Sequence, residues 1–229
     1  VAGMRGRMLR AIEAVIFDLD GTLVDSMWVW NAIDEEYFRK HGLVVPDGLQ
    51  ERISGMSFSE TAEYIKTEYQ ITDSIEVMKD TWNRMAEEKY AEEVPLKPGA
   101  MEFLCLLKQK GYRTGVATSN SRHLAELALE GQKIRGLIDS VHTACEVAHG
   151  KPNPDIYLLV ADELGVKPER CLIFEDIVEG IRAGKNAGMH TCAIDDAASS
   201  HIWQAKVQEA EYAVRDYYPA IQELARDAE

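Results

Sequence analysis

The chain has 229 residues and a formal net charge of −14, with its acids spread along it rather than gathered in a tail. That balance argues against nucleic acid and anionic membrane surfaces as partners, since both would be repelled. No apolar run approaches the roughly 18–20 residues of a membrane-spanning helix. Val1 to Arg10 carries Arg5, Arg7 and Arg10 but lacks the apolar segment of a secretory signal, and it reads as a frayed end or as residues added to the natural chain. Cys105, Cys145, Cys171 and Cys192 lie far apart, without Cys-x-x-Cys spacing; they read as reduced, structural thiols and point to a cytoplasmic location.

The first element is an apolar run, Ala14-Val15-Ile16-Phe17, ending in Asp18, with Asp20 two positions on and a Gly21-Thr22 turn behind it. This pattern predicts a buried strand that delivers carboxylates to its C-terminal edge, where ligands bind in open parallel α/β sheets. Two carboxylates so placed repel each other and resist desolvation unless a cation or a shared proton relieves them. Oxygen ligands, with room for water and a phosphate, suit Mg²⁺ better than Zn²⁺.

Helical patterning follows over Met27 to His41, Ser57 to Tyr69 and Ser74 to about Ala91. Ser57 with Glu60 has capping-box spacing, and Asp73 with Glu76 marks the next start by the same logic. Val94-Pro95-Leu96-Lys97-Pro98-Gly99 then breaks the run as a hinge. Residues 28–94 thus predict an all-helical insertion, leaving 1–27 and 95–229 as an α/β core.

From Gly99 helix and strand alternate, the signature of a doubly wound parallel sheet. Helices are expected over Ala100 to Lys110, Ser121 to Glu130, Pro154 to Leu164 and Ile177 to Ala187. Strands are expected over Arg113 to Thr118, Ser140 to Thr143, Cys171 to Phe174 and His190 to Ile194. Ser199 to Asp227 reads as mostly helical, with Tyr212 to Val214 as a candidate edge strand.

Three more strand ends carry polar groups. Thr118-Ser119-Asn120 offers a hydroxyl and backbone N–H groups to a phosphate at a helix N-terminus, or simply caps that helix. Lys151 lies in Gly150-Lys151-Pro152-Asn153-Pro154-Asp155, confined by its neighbours; it is either a fixed ammonium or a loop lysine, and Pro152 rules out a P-loop. Phe174-Glu175-Asp176 again ends an apolar run in carboxylates. Four acids at one sheet edge demand a divalent cation.

Asp18-Leu19-Asp20-Gly21-Thr22-Leu23-Val24-Asp25-Ser26 resembles the first motif of the haloacid dehalogenase superfamily, in its phosphatase and phosphomutase branch. The Gly150–Asp155 stretch resembles that superfamily's lysine motif, and Glu175-Asp176 the metal motif of the β-phosphoglucomutase-like subfamily. The resemblance implies a Rossmann-like core with a helical cap. It implies Asp18 as nucleophile, Asp20 as acid and base, and Thr118 and Lys151 holding phosphoryl charge, with Ser119, Asn120, Gly21 and Thr22 as phosphate contacts. Mg²⁺ would be held by Asp18, the Asp20 carbonyl, Glu175 and Asp176, while Glu179 and Asp25 would be caps or solvated.

The expected partner is a small phosphorylated metabolite, with no nucleic acid or membrane, acted on by a monomer. A dehalogenase expels halide without a proton and has no use for Asp20, so phosphoryl transfer is expected. Hydrolysis is preferred to a mutase reaction because Trp30, Phe58 and Ala86 stand where β-phosphoglucomutase has its functional cap His, Arg and Lys. A non-catalytic phosphoryl-accepting regulator on the same fold is the alternative of another class. Trp28, Trp30, Met56 and Phe58 either line an aromatic pocket or form the core of the insertion. Arg52 either meets an anionic substrate or pairs with a neighbouring Glu.

Overall fold

The computed structural model describes residues 7–226. Six parallel strands form one sheet: β1 (Ala14–Phe17), β2 (Arg113–Thr118), β3 (Ser140–Thr143), β4 (Cys171–Glu175), β5 (His190–Ile194) and β6 (Tyr212–Val214), in the order β3-β2-β1-β4-β5-β6. The strand order reverses between β1 and its neighbours, which opens a crevice beyond the carboxyl ends of β1, β2 and β4.

β1 is buried along its whole length because helices cover both faces of the sheet. Val15 and Phe17 point to one face, toward α5 (Ala100–Gln109), α6 (Arg122–Gly131) and α10 (Tyr218–Arg226). There Phe17 stacks on Phe174 at 5.5 Å and meets Phe103 and Tyr217 edge-on at 5.9 and 5.8 Å. Ala14 and Ile16 point to the other face, toward α7 (Asp155–Leu164) and α8 (Val178–Asn186). Strand periodicity thus shares one short run between two cores.

Between β1 and α5 the described chain is helical apart from its loops, with α1 (Met27–Lys40), α2 (Leu49–Ile53), α3 (Phe58–Glu68), α4 (Ile75–Glu88) and a wide π-type turn over Lys89–Glu93. The Ser57–Glu60 capping box is present in both directions. The next start differs from expectation: Ser74 is the cap, accepting from the Val77 N–H at 3.2 Å. Asp73 instead accepts from Tyr37 and His41. The helix expected to reach Ala91 ends at Glu88, and the π turn buries Tyr90.

Other boundaries shift by a residue. The tail is less helical than expected, since a 3₁₀ segment, Ala197–Ile202, precedes α9 (Trp203–Glu209), β6 and α10. Asp227 and residues 1–6 lie outside the described residues. Met8 and Leu9 do not fray: both are buried, and their N–H groups donate to the Glu223 carboxylate at 3.1 and 2.8 Å. Among the described residues no helix is long and apolar enough to cross a membrane.

Asp34 on α1 accepts from Gln50 Nε2 at 2.6 Å, and burial pushes its carboxyl up to about 7. The folded chain keeps a proton there that the unfolded chain releases near pH 4, so this group opposes folding increasingly as pH rises from about 4 to about 7. Asp34→Asn retains an acceptor for Gln50. It is expected to leave stability unchanged near pH 4 and to raise it by about 1–2 kcal/mol near pH 8, discounted for partial exposure. Urea midpoints at the two pH values check this; equal gains at both would contradict it.

Candidate active site

The pairing of Phe17 with Phe174 sets Asp18 beside Glu175 at the adjacent ends of β1 and β4, and the Asp18 N–H donates to the Phe174 carbonyl at 3.0 Å. The chain then folds back on itself. Gly21 has φ +79° and donates its N–H to the Val24 carbonyl at 2.8 Å. A Cβ at position 21 would be strained at that φ and would overlap the Asp176 carboxylate, so glycine is required. Thr22 Oγ1 lies 3.2 Å from both Asp18 Oδ2 and Asp176 Oδ1, while the Thr22 N–H reaches the Leu19 carbonyl and its own carbonyl accepts from Tyr217. Gly21 and Thr22, expected as phosphate contacts, here shape the turn and link two of the acids.

Lys151 reaches this cluster from the loop before α7. Its Nζ donates to Asp18 Oδ1 at 2.9 Å, to the Ala117 carbonyl at 3.2 Å and to Glu175 Oε1. Lys151 is only 5 % exposed and Glu175 not at all. Burial alone would pull the ammonium down, but Asp18 and Glu175 more than offset this and hold it above its ordinary value. Lys151 is thus charged and fixed, not a surface loop lysine. Glu175 is pushed up to about 7 by burial and by Asp18, against the pull of Lys151. Asp176 is raised well above its usual range by burial, Asp18 and Glu175.

Asp20 leaves the other side of the turn. Its Oδ1 accepts from Ser26 Oγ at 2.6 Å and from the Tyr90 hydroxyl, and its Oδ2 from Asn120 Nδ2 at 3.1 Å. Burial raises its carboxyl above the ordinary value although all three donors pull it down. At the end of β2, Thr118 Oγ1 accepts from the Asn120 N–H at 3.0 Å, and Asn120 Oδ1 accepts from the Ser121 N–H at 2.7 Å. The cap of α6 is Ser121, accepting from Leu124, so capping does not occupy Thr118 or Ser119. Ser119 lies half-buried, with Oγ 3.5 Å from the Gly55 carbonyl.

Two peripheral expectations change. Glu179 is neither a cap nor free in solvent: its Oε2 accepts from Ser54 Oγ of the helical insertion at 2.9 Å. Among the described residues Arg52 meets the Tyr69 hydroxyl, at 3.5 Å, and no Glu. Asp25 is exposed, as expected. Phe58 packs edge-on against Trp30 and Trp82, which places these rings in the core of the insertion. Trp28 is 40 % exposed, with Lys89 Nζ 5.7 Å from its ring centre.

A divalent cation fits the residues present. One carboxylate oxygen from each of Asp18, Glu175 and Asp176 lies within 4.8 Å of the others. Glu175 Oε1 takes Lys151 and Tyr157, whereas Glu175 Oε2 is buried without a hydrogen-bond partner among the described residues. An orphaned carboxylate oxygen among buried acids calls for positive charge, and an all-oxygen donor set suits Mg²⁺.

Sequence reasoning missed Tyr90, Tyr157 and Gly180. Tyr157 OH donates to Glu175 at 2.6 Å, and a Cβ at Gly180 would overlap the Glu175 carboxyl, so α8 can pass beneath that acid only as glycine. Nothing local marks either tyrosine, because each depends on a partner brought in by the fold.

A family profile described as haloacid dehalogenase-like hydrolase matches residues 12–188. A phosphorylated carbohydrates phosphatase of Thermotoga maritima is 32% identical over 178 residues, 78% of this chain and 82% of the relative. A probable pseudouridine-5'-phosphatase of Drosophila melanogaster is 27% identical over 230 residues, 94% of this chain and 96% of the relative. The crystal structure of CbbY from Rhodobacter sphaeroides in complex with phosphate superposes with a TM-score of 0.80 at 26% identity, covering 90% of this chain and 95% of that one. The first motif, the doubly wound sheet and the converging carboxylates agree with the profile: the chain belongs to the haloacid dehalogenase-like hydrolase family.

Proposed function

We propose that this hydrolase is a Mg²⁺-dependent phosphatase that cleaves a small phosphate monoester, a sugar phosphate or similar metabolite, through a phosphoryl group carried on Asp18. The observation that carries this reading is the convergence of Asp18, Glu175 and Asp176 on one another, with Lys151 paired to the first two, beside an Asp20 held by donors of its own. The phosphatase relatives support the same class of substrate. Asp18, the Asp20 carbonyl, Glu175 and Asp176 would hold the ion, which when bound draws charge from the transferring phosphoryl oxygens.

Monoester hydrolysis needs up to on the order of 29 kcal/mol of barrier lowering, of which positioning supplies roughly 7–11 kcal/mol. A covalent step and fixed charges are therefore required. Asp18 attacks phosphorus, the bond to the leaving oxygen breaks, and Asp20 protonates that oxygen. Asp20 then takes a proton from water, whose oxygen attacks phosphorus and frees Asp18 with release of inorganic phosphate. Lys151, Thr118 and the Ser119 N–H hold the phosphoryl oxygens during both steps.

Residues 28–94 act as a cap over the core of 1–27 and 95–229. The Ser54–Glu179 contact and the Gly150 N–H to Glu60, at 3.1 Å, bridge the two parts. Phe58 and Ala86 are buried and the Trp30 N–H is taken by Tyr90, so these positions offer no charge for the second phosphate that a mutase must hold. Hydrolysis is therefore favoured over mutase chemistry. Four unpaired cysteines suit a cytoplasmic enzyme.

Incubation with p-nitrophenyl phosphate and Mg²⁺ is expected to release nitrophenol, with the activity lost in EDTA and restored by excess Mg²⁺. With β-glucose 1-phosphate and its bisphosphate, free phosphate rather than glucose 6-phosphate is expected. A folded protein releasing nothing would favour a non-catalytic phosphoryl acceptor.

A further inference from the structure

Both ends of the helical insertion meet at the Asp20 carboxyl. Ser26, just before α1, donates to Asp20 Oδ1 at 2.6 Å, and Tyr90, from the π turn that closes the insertion, donates its hydroxyl to the same oxygen. Trp30, in the first turn of α1, donates its indole N–H to the Tyr90 oxygen at 2.7 Å. Its ring lies edge-on to Tyr90 at 6.1 Å and to Phe58 at 5.9 Å. A line of donors, Trp30 to Tyr90 to Asp20, thus runs from the aromatic core of the insertion into the site.

A hydroxyl that accepts a hydrogen bond donates more strongly, so the indole reinforces the bond from Tyr90 to Asp20. The Tyr90 oxygen takes the Trp30 N–H and faces a carboxylate oxygen, so its own hydrogen points to Asp20. Tyr90 sits in the extra backbone of a π turn, a local departure from the α-helix that concentrates at functional sites. Packing alone would be served by phenylalanine, and it does not explain a buried hydroxyl aimed at a carboxylate.

The geometry points to Tyr90, backed by Trp30, as a positioning residue that fixes the Asp20 carboxyl so that Oδ2 is the oxygen that gives and takes the proton. With two hydroxyl donors Oδ1 is saturated, whereas among the described residues Oδ2 holds only the Asn120 amide. The inference rests on the phosphatase reading above. In the first half-reaction the proton passes from Oδ2 to the leaving oxygen as its bond to phosphorus breaks; in the second, Oδ2 receives a proton from the attacking water.

A positioning role in proton transfer is separable from a structural one through the leaving group. kcat/KM reports the steps up to loss of the leaving group, and p-nitrophenolate departs without a proton whereas phenolate gains from one. Tyr90→Phe is expected to lower kcat/KM by about 3-fold or less on p-nitrophenyl phosphate and by about 30-fold or more on phenyl phosphate. Trp30→Phe, which keeps a ring in place and deletes the indole N–H, is expected to move the ratio the same way by about 3–10-fold. Should Tyr90→Phe fail to fold, Trp30→Phe carries the same comparison. Equal losses on both substrates, or none on either, in an otherwise active enzyme would overturn the role of Tyr90 alone. An unaltered protein without turnover would overturn the phosphatase reading and this role with it.

Discussion

Asp18→Asn is expected to abolish turnover, lowering kcat by roughly 10⁴-fold or more, while leaving the fold intact. The amide keeps the size of the side chain; its one oxygen accepts from Lys151 where Oδ1 does at 2.9 Å, and its NH₂ donates to Thr22 Oγ1, 3.2 Å from Oδ2. What disappears is the charge that the proposed attack on phosphorus requires. Because Asp18 also raises Glu175 and Asp176 by repulsion, its neutralisation relieves two buried acids at the cost of one ion pair with Lys151. Thermal stability in EDTA should therefore equal or exceed that of the unaltered protein. Phosphate release by stopped assay and a melting curve read the two arms. A variant keeping more than a few per cent of activity removes Asp18 as the attacking group.

Lys151→Met is expected to damage both activity and stability, in contrast to Asp18→Asn. Its ammonium is the cation shared by Asp18 and Glu175, buried with both of them. Deleting one partner of a buried ion pair leaves charge uncompensated and costs about 3–5 kcal/mol. The loss should be largest in EDTA and partly offset by Mg²⁺, which on the proposed reading would bind only the folded chain and supply charge to the same acids. kcat/KM should fall by roughly 10²–10³-fold from the missing contact to the phosphoryl oxygens. Urea unfolding with and without Mg²⁺ tests this; a variant as stable as the parent in EDTA would mean that the acids do not depend on Lys151.

The parts legible in the sequence were those that local pattern encodes. A four-residue apolar strand ending in spaced acids announces itself, and the end of β4 repeats the signal; parallel register then brings Asp18 beside Glu175. Confinement by Gly150 and Pro152 left Lys151 as either a fixed ammonium or a loop lysine, and only the resemblance of Gly150–Asp155 to a lysine motif chose between them. Five-residue α2 is too short for a helical period to show. Ser74 and Asp73 are both competent caps, and the choice between them was settled by Tyr37 and His41, which claim Asp73. Aromatic residues at helical spacing cannot reveal whether they line a pocket or fill a core. In the fold Trp30, Phe58 and Trp82 pack on one another while Trp28 stays exposed, and the Trp30 indole N–H reaches Tyr90. Tyr90 was beyond reach because its partner lies 70 residues away and the π turn that aims it has no sequence period.

The most direct test is to find the phosphoryl group itself. Protein quenched in acid during turnover of p-nitrophenyl phosphate with Mg²⁺, then digested and weighed by mass spectrometry, should carry one phosphoryl group on the peptide containing Asp18. That adduct should be absent without Mg²⁺ and absent in Asp18→Asn. A phosphoryl group mapped to any other residue, or sustained turnover by Asp18→Asn, would contradict nucleophilic attack by Asp18.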